Sequence, residues 1–401
     1  MKKGTTVMLS INRDELRMAL DRMCKVASSS PEDAEAAELK FSASGKSMVV
    51  QATSVGATTM ARYTFSAGAC EIDKDCSFCI PAVPLRDSVA LMRGDNIIFS
   101  VEQRTVSIRG DDDDAGDEHS LMGMMPDTWK GSPSFIDEIF SFVAKREALV
   151  AASKYAGPSC ADGVDKAPLT AIRIGVSANG DLSAVASDQG RVSYLNLSGA
   201  CHDLKSKDGT DDCFFMLLPA PAKTLQAMFG QEHAEISVRV NTSRILFTGG
   251  GLSFDIAHEV GVDSFPRLGN YVLDDGFAWS FDVNEVRRAV NMVSIVASQS
   301  LARVEFNKSG KMIISGQGVV EKGSKSRQTV TPIETSGEIL DPNFVEVACV
   351  DLKDALAIPT SPNVRIGLRL TINPAINPVV FIEQDGEVEW KHLIARSVNV
   401  G

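Results

Sequence analysis

Arg13–Lys25 reads RDELRMALDRMCK, and its pattern returns twice further along the chain. A shift of 132 residues carries Glu15, Leu16, Ala19, Leu20 and Met23 onto Glu147, Ala148, Ala151, Ala152 and Tyr155. A shift of 270 carries them onto Glu285, Val286, Ala289, Val290 and Val293. Glu and Ala keep their places, and the other positions stay apolar. The spacing i, i+3, i+4, i+7 is the buried stripe of an amphipathic helix. Three copies in 401 residues make a period of about a third of the chain, the mark of a threefold repeat.

A second landmark keeps the same register. Ile80-Pro81-Ala82 opens LRDSVALM, Leu218-Pro219-Ala220 opens KTLQAMF, and Val350-Asp351-Leu352 opens KDALAI. Pro and Asp both suit a helix start, Pro because it loses no hydrogen bond there and Asp because it can cap free N–H groups. After the helices of each third come runs with the twofold alternation of strands. ELKFSAS and SMVVQAT flank the turn Gly45-Lys46, NIIFSVE and TVSIRG flank Gln103-Arg104, and ARVEFN and KMIISGQ flank Ser309-Gly310. The spacing predicts three α+β units, 1–137, 138–275 and 276–401, each with two helices against antiparallel sheet.

Composition sets the bounds. Hydrophobic residues make up 44% and charged residues 23%, ordinary values for a globular chain. No apolar run approaches the ~20 residues of a membrane helix, and MKKGTTVMLSINRDEL has no long apolar stretch, so no signal peptide is read. Eight scattered cysteines suit a reducing cytoplasm. The net charge of −12 argues against nucleic acid as a partner, unless the basic residues gather on one face.

Catalytic motifs are missing. Cys76-Ser77-Phe78-Cys79 has no second ligand pair for zinc, and the repeat sets its cysteines against Phe214 and Leu217, so they read as small buried hydrophobes. Gly110–Glu118, GDDDDAGDE, lacks calcium-loop spacing. Thr248-Gly249-Gly250-Gly251 lacks the Lys and helix of a phosphate loop, and the five histidines form no triad or ligand pattern. The chain is not expected to be an enzyme; a dispersed active site is the alternative.

Leu169–Ile174 followed by Leu182–Val192, LSAVASDQGRV, resembles the stretch "L-x-G-V … L-x-x-V-A-T-D-G-H-R-L" of the bacterial DNA polymerase III beta sliding clamp family. Asp263-Ser264-Phe265-Pro266 before Tyr271-Val272-Leu273 is similar to its "G-x-F-P-D-Y … V-I-P", and VRRAVNMVSIVAS before ARVEF is similar to its last domain. Three departures mark a divergent member, for which a phage or plasmid origin would be no surprise. Gln189-Gly190 stands for the usual Gly-His, Leu393-Ile394-Ala395-Arg396 has no proline, and Asp274 replaces a proline.

The resemblance implies a cytoplasmic, non-catalytic processivity factor without cofactor or metal. It implies a head-to-tail homodimeric ring of six domains that encircles double-stranded DNA, with helices lining the hole. The basic helix residues Arg17, Arg22, Lys25, Arg86, Arg93, Arg146, Lys154, Lys223, Arg287, Arg288 and Lys353 are then expected to face DNA; an ordinary solvated face is the other reading of each. Replicative polymerase and clamp loader are expected to dock by short peptides in a cleft between the second and third units. By position that cleft holds Leu169, Ser187, Arg191, Val192, Pro266, Val272, Leu393 and Ile394. The ring is expected to close between the first unit of one chain and the third of another. The contacts would be an edge strand with Thr105, Ser107 and Arg109, and the apolar residues Ile295, Val296, Val304 and Phe306; these could equally face their own core. A structural or decoy ring that has lost loading or partner binding is the alternative function.

Overall fold

The computed structural model describes residues 7–27, 35–112, 116–129, 135–163, 168–258, 265–266, 276–297, 300–318, 323–335, 344–369, 378–385 and 387–395. The first third runs β1 (Val7–Asn12), α1 (Arg13–Met23), β2 (Glu38–Ser44), β3 (Ser47–Thr53), β4 (Thr59–Thr64), β5 (Cys70–Ile72), β6 (Cys76–Pro81), α2 (Ala82–Leu91), β7 (Asn96–Glu102), β8 (Thr105–Gly110) and β9 (Glu118–Met122). The second runs β10 (Phe140–Lys145), α3 (Arg146–Ala156), β11 (Ile172–Ser177), β12 (Leu182–Ser187), β13 (Arg191–Leu197), β14 (Cys201–Ser206), β15 (Asp212–Leu217), α4 (Pro219–Met228), β16 (Glu235–Val240), β17 (Arg244–Gly249) and β18 (Leu252–Ala257). The last runs β19 (Gly276–Asp282), α5 (Val283–Ala297), β20 (Leu301–Phe306), β21 (Met312–Gln317), β22 (Lys325–Val330), β23 (Phe344–Ala348), α6 (Cys349–Ala357), β24 (Asn363–Arg369), β25 (Val379–Asp385) and β26 (Val388–Ile394). The order strand, helix, strands, helix, three strands repeats three times, with five strands between the helices in the first two thirds and four among the described residues of the last, and the paired strands run antiparallel.

The repeated helices form for the reasons their residues supply. In α1 the Asn12 side chain accepts a hydrogen bond from Glu15 N at 3.1 Å, and in α5 Asp282 Oδ1 accepts from Asn284 N at 2.8 Å and Glu285 N at 2.9 Å. Each satisfies N–H groups that have no partner within the first turn. The stripe is buried as its spacing requires: Leu16, Ala19, Leu20 and Met23 in α1, and Val286, Ala289, Val290 and Val293 in α5. In α3 the stripe shifts slightly, with Leu149 buried and Ala151 half-buried.

The chain forms two compact units. One comprises Met1–Glu147, Asp203–Thr210 and Ala220–Val260, the other Ala148–His202, Asp211–Pro219 and Gly261–Gly401. The first unit has a five-stranded sheet, β5-β1-β7-β8-β9, and a nine-stranded sheet, β14-β10-β16-β17-β18-β4-β3-β2-β6. The second has an eight-stranded sheet, β15-β11-β12-β13-β26-β25-β24-β19, and a four-stranded sheet, β22-β21-β20-β23. In each unit one sheet crosses from one third of the sequence to the next. β4 pairs with β18, with Thr59 opposite Ile256 and Met60 opposite Asp255. β13 pairs with β26, with Arg191 opposite Ile394 and Val192 opposite Leu393.

Each unit has its own apolar core. Phe41 stacks on Phe78 with ring centroids 5.1 Å apart, and both lie within 5.9 Å of Phe99. The second unit adds a buried polar chain. Trp390 Nε1 donates to Ser193 Oγ at 2.9 Å, Ser193 Oγ donates to the Tyr155 carbonyl at 2.6 Å, and Tyr155 Oη lies 2.8 Å from Thr360 Oγ1. Thr360 and Ser361 then donate to Glu383 Oε1. Buried polar groups satisfied in series fix one arrangement of the strands that carry them.

Two expectations need correction. Thr105–Arg109 is not an edge: β8 is paired on both sides, with β7 and β9, and the free edge is β9. Val304 and Phe306 face their own core, at 1% and 0% exposure, because they alternate inward on β20. The reading of Cys76 and Cys79 as buried hydrophobes holds for Cys79, while Cys76 is half-buried. Cys79 is buried, and burial pushes its thiol up to about 12, leaving an inert side chain.

Candidate functional site

Most residues singled out from sequence lie on the outer sides of the helices and on the eight-stranded sheet of the second unit; β9 and β22, which end their sheets, are added by the structure.

The six helices carry ten basic and eight acidic side chains, against 40 and 52 in the whole chain. The acidic excess therefore lies elsewhere. Of the residues expected to face DNA, Arg17, Lys25, Arg93, Lys154, Lys223, Arg288 and Lys353 are exposed. The other four are held by protein groups. Arg22 pairs with Glu232, and Arg86 pairs with Asp87 at 2.8 Å. Arg146 Nε donates to the Phe229 carbonyl at 2.7 Å. Arg287 donates through Nε to the Leu356 carbonyl at 2.7 Å and through Nη2 to the Pro359 carbonyl at 3.0 Å. The last two meet carbonyls left over at or just beyond the ends of α4 and α6, where a cation is favourable. Arg287→Ala should therefore lower stability by about 2 kcal/mol, since two carbonyls lose charged donors. Arg288→Ala, at an exposed position, should leave the melting temperature unchanged. Paired thermal melts check both.

The predicted cleft residues gather on the eight-stranded sheet but divide between its faces. Ser187 is opposite Val192, and Val192 is opposite Leu393. Strand alternation puts Val185 on the same face as Ser187. Leu169 packs there with Ala161, Ala171, Met216 and Phe265, against Val185 and Leu218. Pro266, next to Phe265, is exposed, and Val272 lies outside the described residues. Arg191 and Ile394 alternate to the other face. Ile394 is fully buried, and Arg191 reaches Asp188 at 2.7 Å, Asp354 at 3.2 Å and Asp351 at 3.6 Å. Burial raises the Asp351 carboxyl despite this arginine. Arg191 thus ties the β12–β13 turn to α6 and does not line the Val192 face. Sequence reasoning passed over Phe265 and Met216 as walls; Phe265 stood in the quoted stretch, but Met216 looked like any strand residue.

At the turn itself Gln189 has φ +81°, a left-handed conformation that favours glycine. Gly190 beside it is exposed and accepts a hydrogen bond from Ala395 N at 2.8 Å. The glycine of this chain thus stands one position later than the backbone prefers, and the family pattern has its glycine at position 189. The free edges are polar: β9 reads EHSLM and β22 reads KSRQTV. α5 packs against β22, and Ser326 Oγ donates to the Met292 carbonyl at 3.4 Å. Beside this edge Ile295 is 75% and Met292 47% exposed. Among the described residues no group of three or more His, Cys, Asp or Glu could hold a metal ion, and no helix is long and apolar enough to cross a membrane.

No protein-family model matches this chain, and no curated protein matches it in sequence. Solved structures do. The DNA polymerase III beta chain of Streptococcus pneumoniae TIGR4 matches with a TM-score of 0.83 at 16% identity, over 98% of this chain and 100% of that one. The DNA polymerase sliding clamp of Bacillus subtilis matches with 0.82 at 15% identity, over the same shares. The Helicobacter pylori beta clamp, solved with a DNA ligase peptide, matches with 0.78 at 15% identity, again over 98% and 100%. The chain is an α+β protein with antiparallel sheets. More particularly, along nearly its whole length it has the fold of the bacterial DNA polymerase III beta sliding clamps.

Proposed function

We propose that this protein is a sliding clamp, a non-catalytic processivity factor whose two copies close head to tail around duplex DNA. It would act in the cytoplasm as three clamp domains, 1–137, 138–275 and 276–401. The observation that carries the reading is the pattern of sheet joints. In each third the strand two places after the first hairpin strand (β4, β13, β22) and the last strand (β9, β18, β26) are equivalent. β4 joins β18 and β13 joins β26. The strands left over are β9 and β22, and both end their sheets. The same joint between two chains uses both, and made twice it closes a ring.

In the register of the β13–β26 joint, where the first residue of one strand faces the last of the other, Lys325 of one chain falls opposite Met122 of a second copy, and Arg327 lies diagonal to Glu118. Unlike charges diagonal across a joint favour that register. Ile295 and Met292 beside β22 supply the apolar part, with Met122, itself 65% exposed, as a partner. Val296 is half-buried and belongs to the same end of α5. Of the interface residues read from sequence, Ile295 and Val296 stay in the proposal. Thr105, Ser107 and Arg109 of β8 give way to β9.

Arg17, Lys25, Arg93, Lys154, Lys223, Arg288 and Lys353 are the cations available to phosphates. Seven dispersed cations with acidic neighbours suit weak, sliding contact, so retention would come from enclosure. The face with Leu169, Phe265, Val185, Val192 and Leu393 is the docking site for peptides of a replicative polymerase and a clamp loader. Light scattering tests the reading. A stable mass of twice the 43.0 kDa chain on dilution is expected, and a strict monomer contradicts it.

A further inference from the structure

A cavity of ≈ 330 Å³ lies in the first unit, on the nine-stranded sheet, and has no part in the function above. Met60 and Arg62 of β4 and Asp255 of β18 form part of its floor, and Trp129 and Phe135 form a wall. Trp129 is 4% exposed, yet its Nε1–H has no hydrogen-bond partner. A buried donor without an acceptor is costly, and few survive in a native fold without a use. The negative charge on the floor is already answered: Asp255 pairs with Arg244 at 2.6 Å. Arg62 is exposed at the rim. The site therefore offers apolar walls, one buried N–H donor and a rim cation.

The repeat gives the cavity a counterpart. Met60 and Asp255 form the second pair of the β4–β18 joint, and Val192 and Leu393 form the second pair of the β13–β26 joint. We propose that the Trp129 cavity is a second peptide-docking site. Its ligand is an extended segment that inserts one aliphatic or aromatic side chain and offers a carbonyl or carboxylate oxygen to Trp129 Nε1–H and Arg62. The cavity, the unpartnered Trp129 donor and the repeat carry the site, and the choice of a peptide as its ligand rests on the reading of the Val192 face given above.

The test uses the full chain labelled with 5-fluorotryptophan, which gives three fluorine signals, one each from Trp129, Trp279 and Trp390. The Trp129 signal is assigned by its loss in Trp129→Phe. The probe is the dipeptide acetyl-Leu-Phe with a free carboxylate. A saturable shift of the Trp129 signal is expected, with Trp279 unmoved. Arg62→Glu, an exposed change, should weaken binding about tenfold. A Trp129 signal that stays put in folded protein at millimolar dipeptide overturns the proposal, as does a shift that Arg62→Glu leaves unchanged. Binding that moves only Trp390, in the second unit, overturns this site and leaves the clamp reading intact.

Discussion

Ile295→Asp should turn the proposed dimer into a monomer at micromolar concentration without changing the fold. Ile295 is 75% exposed, so the substitution removes no core contact and its effect on the single chain is small. In the proposed ring the same side chain is buried beside β22, and a carboxylate there loses its water without gaining a partner. Truncating a central interface residue costs about 2 kcal/mol or more. Head-to-tail closure makes the contact twice, so the loss is roughly 4 kcal/mol, about a thousandfold in dissociation constant. Sedimentation velocity of wild type and variant reads it directly. Ser100→Asp on β7 is a control, since that strand pairs on both sides within one chain. Equal masses for wild type and Ile295→Asp would remove the apolar half of the interface.

The second large effect is on acid stability. His392 is 1% exposed, with Nδ1 3.5 Å from Ser159 Oγ and Nε2 unpartnered. Its ring stacks on Trp390 with centroids 5.6 Å apart. Burial first, and the positive charge of Arg191 second, push its pKa down to about 3, while Asp188 opposes them slightly. The folded state therefore keeps the ring neutral, whereas the unfolded chain protonates it near 6.5. Stability from this group is complete above pH 6.5 and is lost as pH falls from there toward 3. The whole loss is roughly 4–5 kcal/mol. His392→Phe keeps the stacking and removes the titration. Between pH 6.5 and 4 its stability should fall by up to one proton less per pH unit than that of wild type. Parallel pH profiles would mean that the histidine is not buried neutral.

The residues that were legible were those with a buried face. Leu16, Ala19, Leu20 and Met23 announced α1 because one side of the helix must be apolar, and the hairpins at Gly45, Gln103 and Ser309 were framed by alternating strands. Beside β1 and β10, which alternate but were passed over, four strands were silent: β5, β9, β14 and β22. All four end their sheets, and their sides are mostly half-buried or exposed, so no apolar alternation marks them. The ring contact was therefore placed on the strongly patterned β8, although β9 is the strand with unpaired backbone. The basic helix residues were visible as a group. What sequence could not show is that Arg146 and Arg287 are taken by carbonyls at helix ends, since that depends on where α4 and α6 stop.

Topological retention on DNA tests the central claim most directly. The protein, with Ser120→Cys on β9 and Arg327→Cys on β22, which face each other in the proposed register, is taken apart in urea below its unfolding midpoint. It is then concentrated with nicked circular DNA and cross-linked shut. Two enclosing chains should co-elute with the circle in high salt, where phosphate contacts are screened, and should slide off once a single cut makes the DNA linear. Release from the circle in high salt, or retention that survives linearisation, would contradict enclosure.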